Sequence, residues 1–288
     1  MSKDCVLYLV RTSQDDLDML NRSLGLVESH VLSSIKERTD VILFHEKSFD
    51  ETYKNRVRAL SNGNIIFQEI EFKVPEYSKQ EIADHIPEFY PHPTHAKNGP
   101  HGETYFKEHG CFHPGFTMGY RHMCRFFSGW MYDQPILKNY EYYLRLDTDS
   151  FVLSMVPYDI FEWMRNNKCE YGFIDQAVQQ DNPMVVEGLW KTIETWVDSN
   201  NIQVYKPISQ IPDGRMFYTN FEVGKVSSFT TGSAYYNFYN FIDSVGGIYT
   251  KRWGDAPIKF LGVTLFVSPQ TIKAVRGFIY QHGAVYHL

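Results

Sequence analysis

Cysteine is scarce in this 288-residue sequence, which has four (Cys5, Cys111, Cys124, Cys169) and no Cys-x-x-Cys pair. That argues against a cysteine-type zinc site and a dense disulfide framework, and it makes free buried thiols the expectation. Positive charge is not in excess either: 28 Lys and Arg stand against 34 Asp and Glu, a net charge of −6, and no basic run stands out. Such a balance argues against a protein that grips nucleic-acid backbone. Long apolar runs are missing as well. Cys5–Val10 is too short for a signal-peptide core or a membrane anchor, and no later segment approaches the roughly 18 uninterrupted apolar residues of a transmembrane segment. The chain as given is expected to be soluble and cytoplasmic, in the host cytoplasm should its source be a virus.

What is present is ordinary globular material with many aromatics. At 43% hydrophobic and 16% aromatic, the chain can bury a sizeable core as one large domain or two closely packed ones. Aromatic platforms are common where sugars or bases bind, although most large rings simply fill cores.

The stretch that organises the rest is EYYLRLDTDSF, Glu141–Phe151. Its apolar run fits a buried strand and stops abruptly at Asp147 and Asp149. In an open α/β sheet, ligands bind beyond the carboxyl ends of the strands, so this carboxylate pair faces a candidate site. Hard oxygen donors suit Mg²⁺ or Mn²⁺, most of all when substrate phosphates complete the coordination. The plainer alternative is that the two acids merely form the turn that ends the strand.

Upstream, the pattern is β-α-β. Val6–Val10 reads as a strand, and Ser13 with Asp16 reads as a helix cap. Leu17, Leu20, Leu24, Val27, Val31 and Ile35 then recur at helical spacing, which predicts one apolar helix face. Val41–Phe44 and Ile65–Ile70 predict two more strands, with a helix over 50–60 between them. This alternation points to a parallel sheet covered by helices. Residues 77–119 lose the pattern and hold six of the eleven histidines (His85, His92, His95, His101, His109, His113). Their spacing fits no familiar metal-ligand set, and a polar excursion across the site is the preferred reading.

Downstream, the patterns predict helices over 120–132, 157–166 with Pro157 in the first turn, 184–197, 233–245 and 258–266, and a strand over 170–174. Glu222 lies in an apolar surround, and a solvated strand face is its ordinary explanation. Asp255 sits between Gly254 and Pro257, where it can cap the last helix.

YRHMCRFF (Tyr120–Phe127), YYLRLDTD (Tyr142–Asp149), NFEVG (Asn220–Gly224), RWGDAP (Arg252–Pro257) and YQH (Tyr280–His282) occur in order. With LVRTSQDDL and LFHEKSF near the start, they make nearly the whole chain resemble glycosyltransferase family 15, the fungal α-1,2-mannosyltransferases. That resemblance implies an α/β fold of GT-A type, with a central, mostly parallel sheet flanked by helices. It also implies a GDP-mannose donor, a manganese ion, a glycan acceptor and transfer with retention of anomeric configuration. The chain is then a single catalytic unit over 1–288. Its parts are a nucleotide-binding start over 1–76, the His/Pro-rich excursion over 77–119, and the metal, donor and acceptor site over 120–288.

Residue by residue, the resemblance places Asp147, Asp149 and His282 at the metal and makes Glu222 the nucleophile or the stabiliser of the reacting sugar. Asp255 becomes a contact to sugar or acceptor, and Arg11, Tyr120, Arg125, Arg145 and Asn220 fall in the donor site. The chain departs from the family pattern in having Asp-Thr-Asp for Glu-Pro-Asp and in continuing from His282 into Gly-Ala-Val, and the family's lumenal anchor is expected to be absent. By physical chemistry alone a UDP-hexose or UDP-pentose donor, a non-catalytic glycan-binding module and a phosphatase-like hydrolase using Asp147 and Asp149 stay open. The hydrolase is disfavoured because its acids would belong in the first strand.

Overall fold

The structure is a computed structural model that describes residues 3–59, 61, 63–76, 118–174, 179–181, 183–283 and 285–287. The histidine-rich excursion and Cys111 lie outside the described residues. The chain opens as expected: β1 (Asp4–Val10), α1 (Gln14–His30), β2 (Asp40–His45), α2 (Glu51–Arg58) and β3 (Asn64–Glu69) alternate along it. Ser13 caps α1 by accepting the Asp16 backbone N–H. The helix stops one turn earlier than its apolar period suggests, because a 3₁₀ turn over Leu32–Ser34 takes over and leaves Ile35 beyond it.

Next come α3 (Met118–Ser128), β4 (Tyr142–Leu146), β5 (Ser150–Val152), α4 (Ile160–Asn166) and β6 (Tyr171–Ile174). The helix expected over 120–132 is therefore two pieces, the second a 3₁₀ turn over Trp130–Asp133. Pro157 is not in the first turn of α4, whose cap is Asp159, bonded to the Phe161 and Glu162 amides. The remaining elements are β7 (Gln179–Gln180), α5 (Leu189–Ser199), β8 (Arg215–Met216), β9 (Phe221–Lys225), α6 (Ala234–Val245), α7 (Gly247–Thr250), α8 (Asp255–Phe266), β10 (Ile272–Val275), β11 (Tyr280–His282) and β12 (Val285–His287). The helix expected over 184–197 starts late because Gly188, at φ 76°, turns the chain left-handed just before Leu189.

Among the described residues the main sheet has seven strands in the order β10-β6-β9-β4-β1-β2-β3. All neighbours are parallel except β9, which runs antiparallel to both β4 and β6. The near-continuous apolar strands belong to a sheet buried on both faces. Val6, Tyr8, Val41 and Leu43 pack with α1, and Cys5, Leu7, Ile42 and Phe44 pack with α3, α6 and α8. Cys5, Cys124 and Cys169 are free and buried.

Alternation along β4 and β9 decides which side chains meet. Arg145 and Glu222 are direct register partners and share the face on which α8 packs. A second, antiparallel sheet β12-β11-β5 stands beyond the carboxyl end of β4 and pairs Ser150 with His282. No described helix is long and apolar enough to cross a membrane.

Candidate active site

Asp147 and Asp149 occupy the turn from β4 into β5, and the β5–β11 pairing carries His282 to them. His282 Nε2 lies 3.0 Å from Asp149 Oδ1 and 3.9 Å from Asp147 Oδ2. One ligand atom from each of the three falls within 4.8 Å of the others. Two carboxylates and an imidazole converging at this spacing are a donor set that fits Mn²⁺ or Mg²⁺ with phosphate oxygens to complete the coordination.

The outer layer orients the donors, as metal ligands require. Tyr218 Oη is 2.9 Å from His282 Nδ1, which leaves Nε2 turned toward the acids. Ser150 Oγ donates to the Asn220 carbonyl at 2.9 Å, and Tyr280 Oη donates to Asn220 Oδ1 at 2.6 Å. Asn220 thus staples the acidic turn to β11, and its own side-chain oxygen is occupied in doing so. Burial raises the Asp147 carboxyl above its ordinary range against the pull of Arg145 and His282. At Asp149 burial also pushes upward, but the hydrogen bond and charge of His282 outweigh it and the net shift is down.

Arg145 joins this group to a second one. Its side chain is 1% exposed and lies over the Phe127 ring. Nη2 reaches Asp147 Oδ1 at 3.2 Å and Nη1 reaches Asp255 Oδ2 at 2.7 Å. Asp255 also accepts from Thr219 Oγ1 at 2.9 Å. It is the first residue of α8, and the cap is Gly254, with no side-chain cap bond, so the helix-cap explanation of Asp255 is set aside.

Glu222 is fully buried, which corrects the solvated-face alternative. Its carboxylate accepts from Tyr143 Oη at 3.2 Å and Tyr171 Oη at 2.8 Å, and it faces Lys259 Nζ at 3.5 Å. Gly224 makes room for this, since a Cβ there would sit 2.5 Å from the Tyr143 ring.

Tyr120 approaches from α3, where its hydroxyl accepts from Arg252 Nη2 at 3.3 Å and its ring lies under the same guanidinium. Arg252 is held at φ 61°, a strained conformation for a non-glycine residue that aims it at Tyr120. Arg11 is exposed at the end of β1 and bonds through Nη2 to Asp16 Oδ1 at 3.2 Å. Arg125 is not drawn into the group. Its fork is taken up by Asp243 at 2.7 and 2.8 Å.

Three residues here escaped sequence reasoning. Asp16 looked like half of a capping pair, but its carboxylate accepts the Arg11 amide, the Arg11 guanidinium and the Thr148 hydroxyl at 2.9 Å. Thr148 therefore ties the acidic turn to the start of α1. Lys259 carried a readable signal: it falls one helical turn after Asp255 in an otherwise apolar helix, on the same face.

A family model described as glycolipid 2-alpha-mannosyltransferase matches residues 1–288. The chain belongs to this family. The glycolipid 2-alpha-mannosyltransferase 1 of Candida albicans is 28% identical over 287 residues, covering 96% of this chain and 62% of the relative. The probable mannosyltransferase KTR3 of Saccharomyces cerevisiae is 33% identical over 177 residues, covering 58% of this chain and 43% of the relative. The matches of this family member thus span 62% and 43% of the length of those relatives.

Among solved structures, core-mannan synthase A (CmsA/Ktr4) of Aspergillus fumigatus in its Mn/GDP form has a TM-score of 0.77 at 24% identity, over 99% of this chain and 76% of that one. Ktr4p of S. cerevisiae gives 0.78 at 21%, over 99% and 72%. These likenesses establish a GT-A-like fold for this family member.

Proposed function

We propose that the chain is a metal-dependent mannosyltransferase, a single catalytic unit over 1–288 that moves mannose from GDP-mannose to a glycan hydroxyl with retention. The convergence of Asp147, Asp149 and His282 at the carboxyl end of β4, joined by Arg145 to Asp255, with Glu222 opposite Arg145 in the strand register, carries this reading. Family membership supports the sugar, and a structural neighbour solved in a Mn/GDP form supports the metal and a guanine nucleotide over a uridine one.

Asp147, Asp149 and His282 would hold the cation. When bound, it supplies charge neutralisation for the departing diphosphate. Arg11, exposed and braced by Asp16, offers a second cation at the nucleotide side. The bond between the anomeric carbon and the β-phosphate oxygen breaks, and the acceptor oxygen bonds to that carbon on the same face. The acceptor proton passes to the departing phosphate oxygen, so atoms and charge balance without a further reagent.

On the sugar side, Asp255 is the carboxylate at the front, with Tyr120 and Arg252 beside it. Glu222 presents no exposed oxygen and has donors on both of its oxygens, so it acts as a buried charge that favours the oxocarbenium-like transition state, not as the attacking group. The test is transfer from GDP-mannose to a mannoside acceptor with Mn²⁺ and with EDTA, the product's anomeric configuration being read by NMR. Turnover that survives EDTA, hydrolysis without transfer, or a β-linked product would each remove a part of the reading.

A further inference from the structure

The inward face of α8 carries an ammonium group that the proposed reaction does not use. Lys259 is wholly buried, its Nζ donating to Tyr132 Oη at 2.7 Å. It lies 4.9 to 5.1 Å from the ring centroids of Tyr132, Phe229 and Tyr235. Because Tyr132 accepts from Lys259, its own proton is free for Tyr143 Oη at 2.7 Å, and the Tyr143 proton goes to Glu222. Lys259 and Glu222, 3.5 Å apart, close the circuit. Tyr171 holds the other carboxylate oxygen, and Arg145 stands opposite Glu222 in the β4–β9 register.

A buried ion pair is weak support for stability, since apolar side chains of similar size commonly replace such pairs without loss. A lysine and a glutamate in this apolar setting therefore call for a task that needs charge. We infer that Lys259 is a positioning residue that keeps Glu222 ionised and fixed in the tyrosine ring, and so sets the charge felt through Arg145 at the sugar end of the site. Counting the buried charges, Arg145 and Lys259 stand against Glu222 and Asp255 and balance, while Asp147, the other partner of Arg145, is 29% exposed. Without the lysine, one carboxylate would be unmatched in a dry setting, and Glu222, the more enclosed of the two, takes a proton. The role in catalysis rests on the reading of the site as a sugar-transfer centre, whereas the ionisation of Glu222 does not.

The experiment compares Lys259→Met, Glu222→Gln and the double variant with the parent. In infrared difference spectra at neutral pH, a protonated-carboxyl band should be present in Lys259→Met and absent from the parent and the double variant. Its absence from Lys259→Met overturns the inference whether or not the chain transfers sugar. In the transfer assay, Lys259→Met should lose kcat about as far as Glu222→Gln, with KM for GDP-mannose within threefold of the parent and the acid limb of kcat moved to higher pH. The double variant should be no slower than the slower single one. Losses that multiply, or a parental kcat and pH profile in Lys259→Met, overturn it. If Lys259→Met does not fold, the double variant, with no unpaired buried charge, carries the test: a kcat above that of Glu222→Gln overturns the inference, and an equal one supports it.

Discussion

Replacing Asp255 by Asn separates chemistry from structure because the two effects differ in size. The Asp255 side chain is 8% exposed and accepts from Arg145 at 2.7 Å and from Thr219 at 2.9 Å. Asn keeps one acceptor oxygen in nearly the same place, so neither bond need vanish, but the bond to Arg145 loses its charge assistance. The difference between a charged and a neutral hydrogen bond is about 1–2 kcal/mol. Arg145 keeps Asp147 as counter-charge, so the larger cost of stranding a buried charge is avoided. At roughly 2–4 °C per kcal/mol for a chain of this size, the melting temperature should fall by about 2–8 °C.

Transfer should fall further, by on the order of a hundredfold or about 2.7 kcal/mol, if this carboxylate meets the sugar or the acceptor hydroxyl. The affinity for GDP with Mn²⁺ should stay within threefold, because Asp149 and His282 are untouched. Thermal melts, calorimetry with GDP and a transfer assay on the same preparation decide it. A variant that melts lower yet transfers at the parental rate would refute the reasoning and leave Asp255 as no more than the counter-charge of Arg145.

Asp149→Ala should weaken GDP binding at least tenfold in Mn²⁺ and leave the residual binding indifferent to EDTA, measured by calorimetry; parental affinity in the variant counts against a metal at this turn. Thr148→Val removes only the hydroxyl that reaches Asp16, and Mn²⁺ affinity should drop by about tenfold and return in Thr148→Ser. His122 stacks on Phe72 and shares a hydrogen bond with Tyr249, and burial, aided by Arg125, pushes its imidazole from 6.5 down to about 4. Neutral in the fold, it contributes fully above pH 6.5, and that contribution drains away as pH falls from 6.5 through 4. The parent should therefore lose up to about 3 kcal/mol more than His122→Gln over that window in denaturant titrations, and parallel pH curves would dismiss the effect.

The fold was legible where information is local. The period of Leu17, Leu20, Leu24 and Val27 identified α1 because one face of that helix is buried against the sheet, and all four are buried. The period misled at Ile35, where apolar spacing persists but the backbone has already tightened into a 3₁₀ turn. Helices over 157–166 and 184–197 were placed early for a related reason. Pro157 and Met184 look like first-turn residues in sequence, yet the hydrogen-bonded starts belong to Asp159 and to the left-handed Gly188. The antiparallel course of β9 had no local signature, since the alternation of a five-residue strand reads the same in either direction.

The candidate site divides along the same line. Asp147 and Asp149 were visible because a strand ending in two acids is a local pattern, whereas His282 reaches them only through the β5–β11 pairing and was found by resemblance alone. Arg145 shows why the remainder was hidden: its partners come from the turn after β4 and from the first turn of α8, and Glu222 faces it from β9. No spacing rule connects those elements. Yet burying a guanidinium demands counter-charge, so a strand whose inward residue is Arg already requires acids from other elements to converge on it. In a sheet packed on both faces, they can come only from the neighbouring strand, the covering helix or the turn at the strand's own end. Glu222, Asp255 and Asp147 supply one from each, and Lys259, one turn along the same helix from Asp255, is the cation that a second buried acid then calls for.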